Sequence, residues 1–277
     1  MLVKEPKYRR PLSSNQIDLL LALYKFRFIS TDLLAGLTGK DRSTIYESLY
    51  VLVNQGYIGK RYDKAYRFAQ KPATYFLIAR GIRYLREYDK HSNLSQAVLS
   101  NYYKNKNAAQ TIVDHCLEVI TIYLALQQQY PNVFNIFTKA DCHDDDWLIN
   151  RLPDLYLERK HFKDNKTNRY LLETVEAGLY RWQLIKRLRA YQNHCGEEWD
   201  KDKHDDYPDV LLVARNDRTE QRLQGFIEGM LQDFELYTTT VEQLLNADKN
   251  HRKVWKEVFE EDELYSLNDF PKLGLLA

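Results

Sequence analysis

Apolar positions near the start of the chain recur with helical spacing three times in succession. After a short basic arm containing Lys4, Lys7, Arg9 and Arg10, the residues Ile17, Leu20, Leu21 and Tyr24 mark a first helix, which Ser13 or Ser14 can cap by accepting a bond from its free amides. Ser30-Thr31-Asp32 is a second start signal before Leu33, Leu34 and Leu37, and Gly39 stops that short helix. A third helix, from about Asp41 to Asn54, places Ile45, Leu49, Leu52 and Val53 on one face. Arg42, Ser43, Tyr46, Glu47 and Tyr50 fall on the other. Two amphipathic helices joined by a tight glycine-containing turn make the helix-turn-helix pattern.

Gly56-Tyr57-Ile58 ends the third helix. Gly59-Lys60-Arg61-Tyr62 then leads into Tyr66-Arg67-Phe68 and Thr74-Tyr75-Phe76-Leu77, which read as two short strands of a hairpin wing. The run from Tyr75 to Leu85 resembles the strand-to-helix closure of winged-helix domains. The expectation is therefore a winged helix-turn-helix domain over residues 1–90. Residues 91–106 are polar, with a Lys104/Lys106 pair and little apolar periodicity, and predict a linker.

Residues 107–277 predict a second, α/β domain. A long helix from about Asn107 to Gln128 carries Val113, Leu117, Ile120 and Leu124 as its stripe. Beyond Pro131 the period changes, and Val133 to Ala140, Leu152 to Arg159 and Asn168 to Glu176 read as three strands. A basic helix from Tyr180 to Asn193 precedes a buried strand, Val210 to Ala214. A periodic helix from Arg218 to Gln232 follows, then a strand from Glu235 to Thr240 and a helical tail carrying Trp255. The order α-β-β-β-α-β-α-β implies a meander feeding into crossover units. The fold class is mixed α/β.

Composition adds a division of charge to this picture. The chain has 277 residues with 40 Lys+Arg against 39 Asp+Glu, a formal net charge of +1. Through Gln110, however, there are 19 Lys+Arg and 8 Asp+Glu, a net of +11, and from Thr111 onward 21 and 31, a net of -10. A basic first half invites a polyanion, and an acidic second half argues against indiscriminate phosphate binding. The three cysteines, Cys116, Cys142 and Cys195, have no CxxC spacing, which suggests a reducing compartment without a disulfide framework. No run approaches roughly 18 consecutive apolar residues and no signal peptide is evident, so the expectation is a soluble cytoplasmic protein without membrane partners.

Candidate chemistry in the second half centres on Pro153-Asp154 and Glu173. In the predicted order they place two carboxylates on adjacent strands at one end of a sheet, where hard oxygen ligands can hold Mg²⁺ against a scissile phosphate. This resembles the PD-(D/E)xK nuclease pattern, with Asp154 and Glu173 at its acidic positions and Glu118 on the preceding helix as a third carboxylate. The lysine of the pattern is replaced by Val175; Lys186, or its neighbour Arg187, is the cation that the next helix offers in its place. Glu176 points to the opposite strand face from Glu173. A zinc site from Cys142-His143 and His194-Cys195 has no supporting spacing, Asp144-Asp145-Asp146 reads as an exposed loop, and no P-loop, dinucleotide fingerprint or G-x-S-x-G elbow occurs.

Across nearly its whole length the sequence resembles the bacterial replication-relaxation family of plasmids and integrative elements. The resemblance rests on the order of several pieces. These are the helix-turn-helix front, His115-Cys116-Leu117 with Val119, Leu152 to Leu157, Tyr170-Leu171-Leu172-Glu173, Lys186 to Tyr191, Tyr207 to Val213, and Thr238-Thr239-Thr240 before Trp255. It implies DNA recognition at an origin or transfer region, with a degenerate nuclease-like domain that serves as a scaffold and recruits a replication or relaxase protein. An acidic-x-acidic pair is frequent on the family's third strand, and Val175 stands at its second position here. The alternatives are a Mg²⁺-dependent nuclease or nickase using Asp154 and Glu173, and a winged-helix transcription regulator.

Double-stranded DNA contacts can be assigned from the residues alone. A third helix entering the major groove by its amino end presents Arg42, Ser43, Thr44, Tyr46 and Glu47, with Arg42 as the guanine reader. Lys60, Arg61, Lys64 and Arg67 on the wing and Lys40 in the turn would meet phosphate. A homodimer is one expectation for its assembly.

Overall fold

Ser13 opens the first helix, α1 (Ser14–Phe26), through a reciprocal cap. Its hydroxyl accepts the Gln16 amide at 3.3 Å, and the Gln16 side chain accepts the Ser13 amide at 3.0 Å. The computed structural model describes residues 11–88, 94–142, 148–149, 151–160, 167–176, 178–199, 206–227, 234–247, 253–258 and 263–268. The basic arm, His143 and Asp144-Asp145-Asp146 lie outside them. The chain divides into two units, Met1–Val113 and Asp114–Ala277. Among the described residues no helix is long and apolar enough to cross a membrane.

In the first unit a two-residue strand, β1 (Ile29–Ser30), runs into α2 (Thr31–Thr38), capped by the Ser30 hydroxyl and ended by Gly39 at φ +65°. The next helix, α3 (Arg42–Asn54), buries Ile45, Leu49 and Leu52 against the core and leaves Arg42 to Thr44 exposed. Each fully buried leucine of this kind contributes about 1.5–3 kcal/mol. β2 (Ile58–Arg61) and β3 (Thr74–Leu77) then form an antiparallel pair in the register Ile58 to Leu77 and Arg61 to Thr74, with β1 on the other side of β3. Gly59 is required in β2, because a Cβ there would come within 2.4 Å of the Phe76 ring.

Two expectations for this unit are corrected. Tyr66-Arg67-Phe68 is not a strand but part of a short helix, α4 (Lys64–Phe68), whose first turn Asp63 caps by accepting the Tyr66 amide at 3.0 Å. Residues 94–106, the described part of the expected linker 91–106, are not a linker. After α5 (Ala79–Tyr88) they form α6 (Gln96–Asn101) and a 3₁₀ turn (Tyr102–Asn107) that pack into the first unit. The Tyr102 hydroxyl donates to the Tyr24 carbonyl at 2.6 Å, Ser95 donates its amide to the Tyr24 hydroxyl at 2.8 Å, and Arg27 bonds the buried Asn105 at 2.8 Å. Polar composition concealed a segment that buries Leu99, Tyr102 and Asn105.

Among the described residues the second unit is built on a seven-stranded mixed sheet whose strands lie side by side in sequence order. Its leading helix, α7 (Gln110–Gln129), contains the boundary between the units. β4 (Asn135–Thr138), β5 (Leu155–Lys160) and β6 (Thr167–Val175) form the expected antiparallel meander. α8 (Arg181–Asn193) then crosses to β7 (Asp209–Ala214), parallel to β6, and α9 (Asp217–Ile227) crosses to β8 (Leu236–Thr240), parallel to β7. Leu171 and Val175 of β6 and Val210 and Leu212 of β7 share one core with Leu184 and Leu188 of α8 and Leu223 of α9. After α10 (Val241–Asn246), Trp255 lies on an added strand, β9 (Trp255–Glu257), and not on a helix; β10 (Leu264–Tyr265) pairs with it at the sheet edge.

Candidate functional site

The amino end of α3 and the β2–β3 hairpin border an open cleft of about 1090 Å³ in the first unit. Arg42, Ser43 and Tyr46 line it from α3, Asp32 from α2, and Lys60, Tyr62, Arg67 and Lys71 from the hairpin and its connection. α3 presents these residues because its apolar face is spent on the core, which turns the opposite face to solvent. Arg42 Nε pairs with Asp32 Oδ1 at 2.8 Å, both side chains being half exposed or more, so the pair steadies the guanidinium at the solvent-facing end of α3. On the hairpin, the Tyr62 ring lies 5.2 Å from Lys60 Nζ and 5.3 Å from the Arg67 guanidinium.

The expected DNA-contact residues separate into three groups. Arg42, Ser43, Tyr46, Lys60 and Arg67 come together around the cleft, whereas Thr44, Glu47 and Lys64 are exposed but do not line it. Lys40 bonds Asn15 at 2.7 Å and ties the turn to α1. Arg61 is corrected: its guanidinium donates to the Ala108 carbonyl at 2.7 Å and reaches Gln110 at 3.5 Å, so it holds the start of α7. Tyr62 and Lys71 escaped the sequence reading. Their signal was placement on either side of Tyr66 to Phe68, a segment that read as strand.

In the second unit the register of β5 and β6 pairs Leu155 with Leu172, which sets Asp154, one residue earlier, beside Glu173. Both carboxylates are buried. The expected pair is thus adjacent, but each member is already engaged. Asp154 Oδ1 accepts from Lys139 Nζ at 2.5 Å and His115 Nε2 at 2.9 Å; Oδ2 accepts from the Thr174 amide at 2.9 Å and its hydroxyl at 2.7 Å. Glu173 accepts from the Tyr191 hydroxyl at 2.8 Å and lies 3.6 Å from Arg187 Nη1. Lys186 is exposed, and its neighbour Arg187 is the α8 cation that faces inward. Glu118 pairs with Arg215.

The electrostatics follow from these partners. Burial opposes ionisation of Asp154, yet Lys139 and His115 outweigh it and hold the carboxyl well below the usual carboxylate range. Burial would likewise lower His115, but its bonds to Asp154 and Glu176 prevail and raise it to about 9. The bond to His115 lowers Glu176 in turn. Glu173 is pushed up, first by burial and then by the charge of Asp154. With His115 Nδ1 facing Thr174 at 3.1 Å and Glu176 at 3.2 Å, the imidazolium bridges two carboxylates.

These residues do not fit Mg²⁺ in this arrangement. The ion needs oxygen ligands at about 2.0–2.1 Å in octahedral geometry, and all four acceptor positions of Asp154 are filled by the chain's own donors. Among the described residues, no three His, Cys, Asp or Glu side chains are grouped to hold a metal, so Asp154, Glu173 and Glu118 do not form the expected set. His115, Lys139 and Thr174 were not assigned to this site from the sequence. His115 lies 39 positions from its partner Asp154, a distance that no local pattern bridges.

No protein family matches the sequence, and no curated protein is similar to it. Among solved structures, the chain is similar to restriction endonuclease FokI, at 12% identity over 83% of this chain and 43% of that one, with a TM-score of 0.30. It is similar also to restriction endonuclease FokI bound to DNA, at 13% identity over 86% and 45%, with a TM-score of 0.29. The chain spans less than half the length of these proteins.

Proposed function

We propose that the chain is a sequence-specific double-stranded DNA-binding protein of the replication-relaxation type, acting at an origin or transfer region of plasmid or other mobile DNA. In this reading the first unit is a winged helix. Its α3 enters the major groove and the β2–β3 hairpin with α4 is the wing. The second unit is a degenerate PD-(D/E)xK-like scaffold that does not cut, and its acidic surface recruits a replication or relaxase protein.

One observation carries the DNA-binding part. The exposed amino end of α3 and the hairpin cations border the same cleft, which joins a base-reading element to phosphate-holding side chains. The scaffold part is supported by the saturation of Asp154 with internal donors. The mobile-element role is supported by the ordered motifs of the sequence.

The test is selection of bound duplexes by the full chain, followed by fluorescence anisotropy at fixed salt. A preferred site should emerge, and Arg42→Ala should weaken it by about 1–3 kcal/mol while barely changing random duplex. An equal loss on both would assign Arg42 to phosphate. Enrichment of promoter sequences would favour a transcription regulator, and absence of retention at low salt would remove the reading altogether. Cleavage of supercoiled DNA with Mg²⁺, lost in Asp154→Ala, would overturn the non-cutting scaffold.

A further inference from the structure

The three carboxylates expected to hold a metal share an arrangement that the sequence does not reveal. In each pair the acid is buried and the cation is the more exposed partner. The side chain of Asp154 is 2% exposed and that of Lys139 is 49% exposed; for Glu118 and Arg215 the values are 6% and 54%. Glu173 and Arg187 show the same order at 4% and 13%. The surface that each pair offers to solvent is therefore mainly that of the ammonium or guanidinium.

Lys139 is also held in place. It follows β4 in a turn that Asp141 fastens, the Asp141 carboxylate accepting the Thr138 amide at 2.7 Å and the Thr138 hydroxyl at 2.9 Å. Its stem therefore leaves the end of β4 from a fixed backbone, and its ammonium reaches an oxygen already shared with His115.

We propose that Lys139 is a built-in replacement for the divalent cation at this end of the sheet, so that the second unit is electrostatically complete without metal. The proposal rests on the nuclease-like reading of that unit and is independent of DNA binding by the first. Removal of the lysine leaves Asp154 buried beside Glu173 with less positive charge, which should cost stability and open an oxygen to metal.

The experiment uses the full chain, with Mn²⁺ as the probe, in wild type, Lys139→Met, Asp154→Asn and the Lys139→Met/Asp154→Asn double variant. Thermal midpoints are measured with and without MnCl₂, and bound Mn²⁺ is read from the loss of the free-ion paramagnetic resonance signal. Wild type should show no midpoint shift and no bound Mn²⁺. Lys139→Met should melt about 5 °C lower and recover with Mn²⁺, and the double variant should have lost the Mn²⁺ response. Should Lys139→Met fold only when Mn²⁺ is present, the proposal is supported in stronger form. If it does not fold under either condition, the milder Lys139→Gln takes its place with the same expectations. Mn²⁺ binding by wild type that disappears in Asp154→Asn would overturn the proposal, as would a Lys139 variant with unchanged midpoint and no Mn²⁺ response. Duplex retention measured on the same samples distinguishes a failure of the DNA-binding reading, which would leave these outcomes standing.

Discussion

At the first position of β7, Asp209 carries a cost that depends on pH. Burial, followed by the charges of Glu235, Glu257 and Asp206, pushes its carboxyl up to about 8 from an ordinary value of 3.8. Between those two values the folded chain keeps a proton that the unfolded chain has released. Stability contributed by this group is therefore full below pH 3.8 and is lost as pH rises through about 8. Asp209→Asn should raise the thermal midpoint at pH 9 and flatten its decline between pH 5 and pH 9. Equal slopes for the variant and wild type would show that the carboxylate is already ionised in the fold. His115 acts in the same direction over a higher window: its stabilisation is full below 6.5 and lost through about 9, so some decline should remain in the variant.

At the scale of elements, the hairpin of the first unit assigns neighbouring cations to opposite tasks. Lys60 faces the cleft, and Arg61, next along β2, is tied to the Ala108 carbonyl and to Gln110, with the Tyr66 hydroxyl reaching the same Gln110 side chain at 2.9 Å. Strand alternation is enough to send successive side chains to different neighbours. Arg61→Ala should lower the thermal midpoint, a charge-assisted bond of this kind being worth about 1.5–3 kcal/mol, with the salt slope of DNA binding unchanged. Lys60→Ala should do the reverse, keeping the midpoint and reducing the logarithmic slope by about one. A shared outcome for both would contradict the division.

That contrast marks how far the sequence could be read. Helices α1 to α3 were legible because Ser13, Ser30 and Gly39 act within one turn of where they stand, and the meander was legible from strand period. The pairing of Asp154 with Glu173 followed from strand order. The destination of Arg61, the strand at Trp255 and the cations paired with Asp154 were not legible, since each depends on a partner many positions away. Even Tyr66 to Phe68, a local feature, depended on whether Asp63 capped a helical turn or the aromatics joined a ladder.

For the whole molecule, a net charge of +1 conceals a first half of +11 and a second half of -10, divided after Gln110. At 0.15 M salt the screening length is about 8 Å, so DNA at the cleft responds chiefly to the cations lining it. Three cleft cations that would meet phosphate, Lys60, Arg67 and Lys71, then set a slope of log K against log salt of about -3 between 0.1 and 0.3 M. Near 0.01 M the screening length grows to about 30 Å, and the acidic half begins to repel the same polyanion. The plot should therefore flatten at low salt. Titration of a fluorescent duplex with the full chain from 0.01 to 0.3 M tests both limbs. A constant slope throughout would mean that the acidic half never acts on the bound DNA, and a slope near -10 would mean that far more of the basic surface is in contact with phosphate than the cleft alone provides.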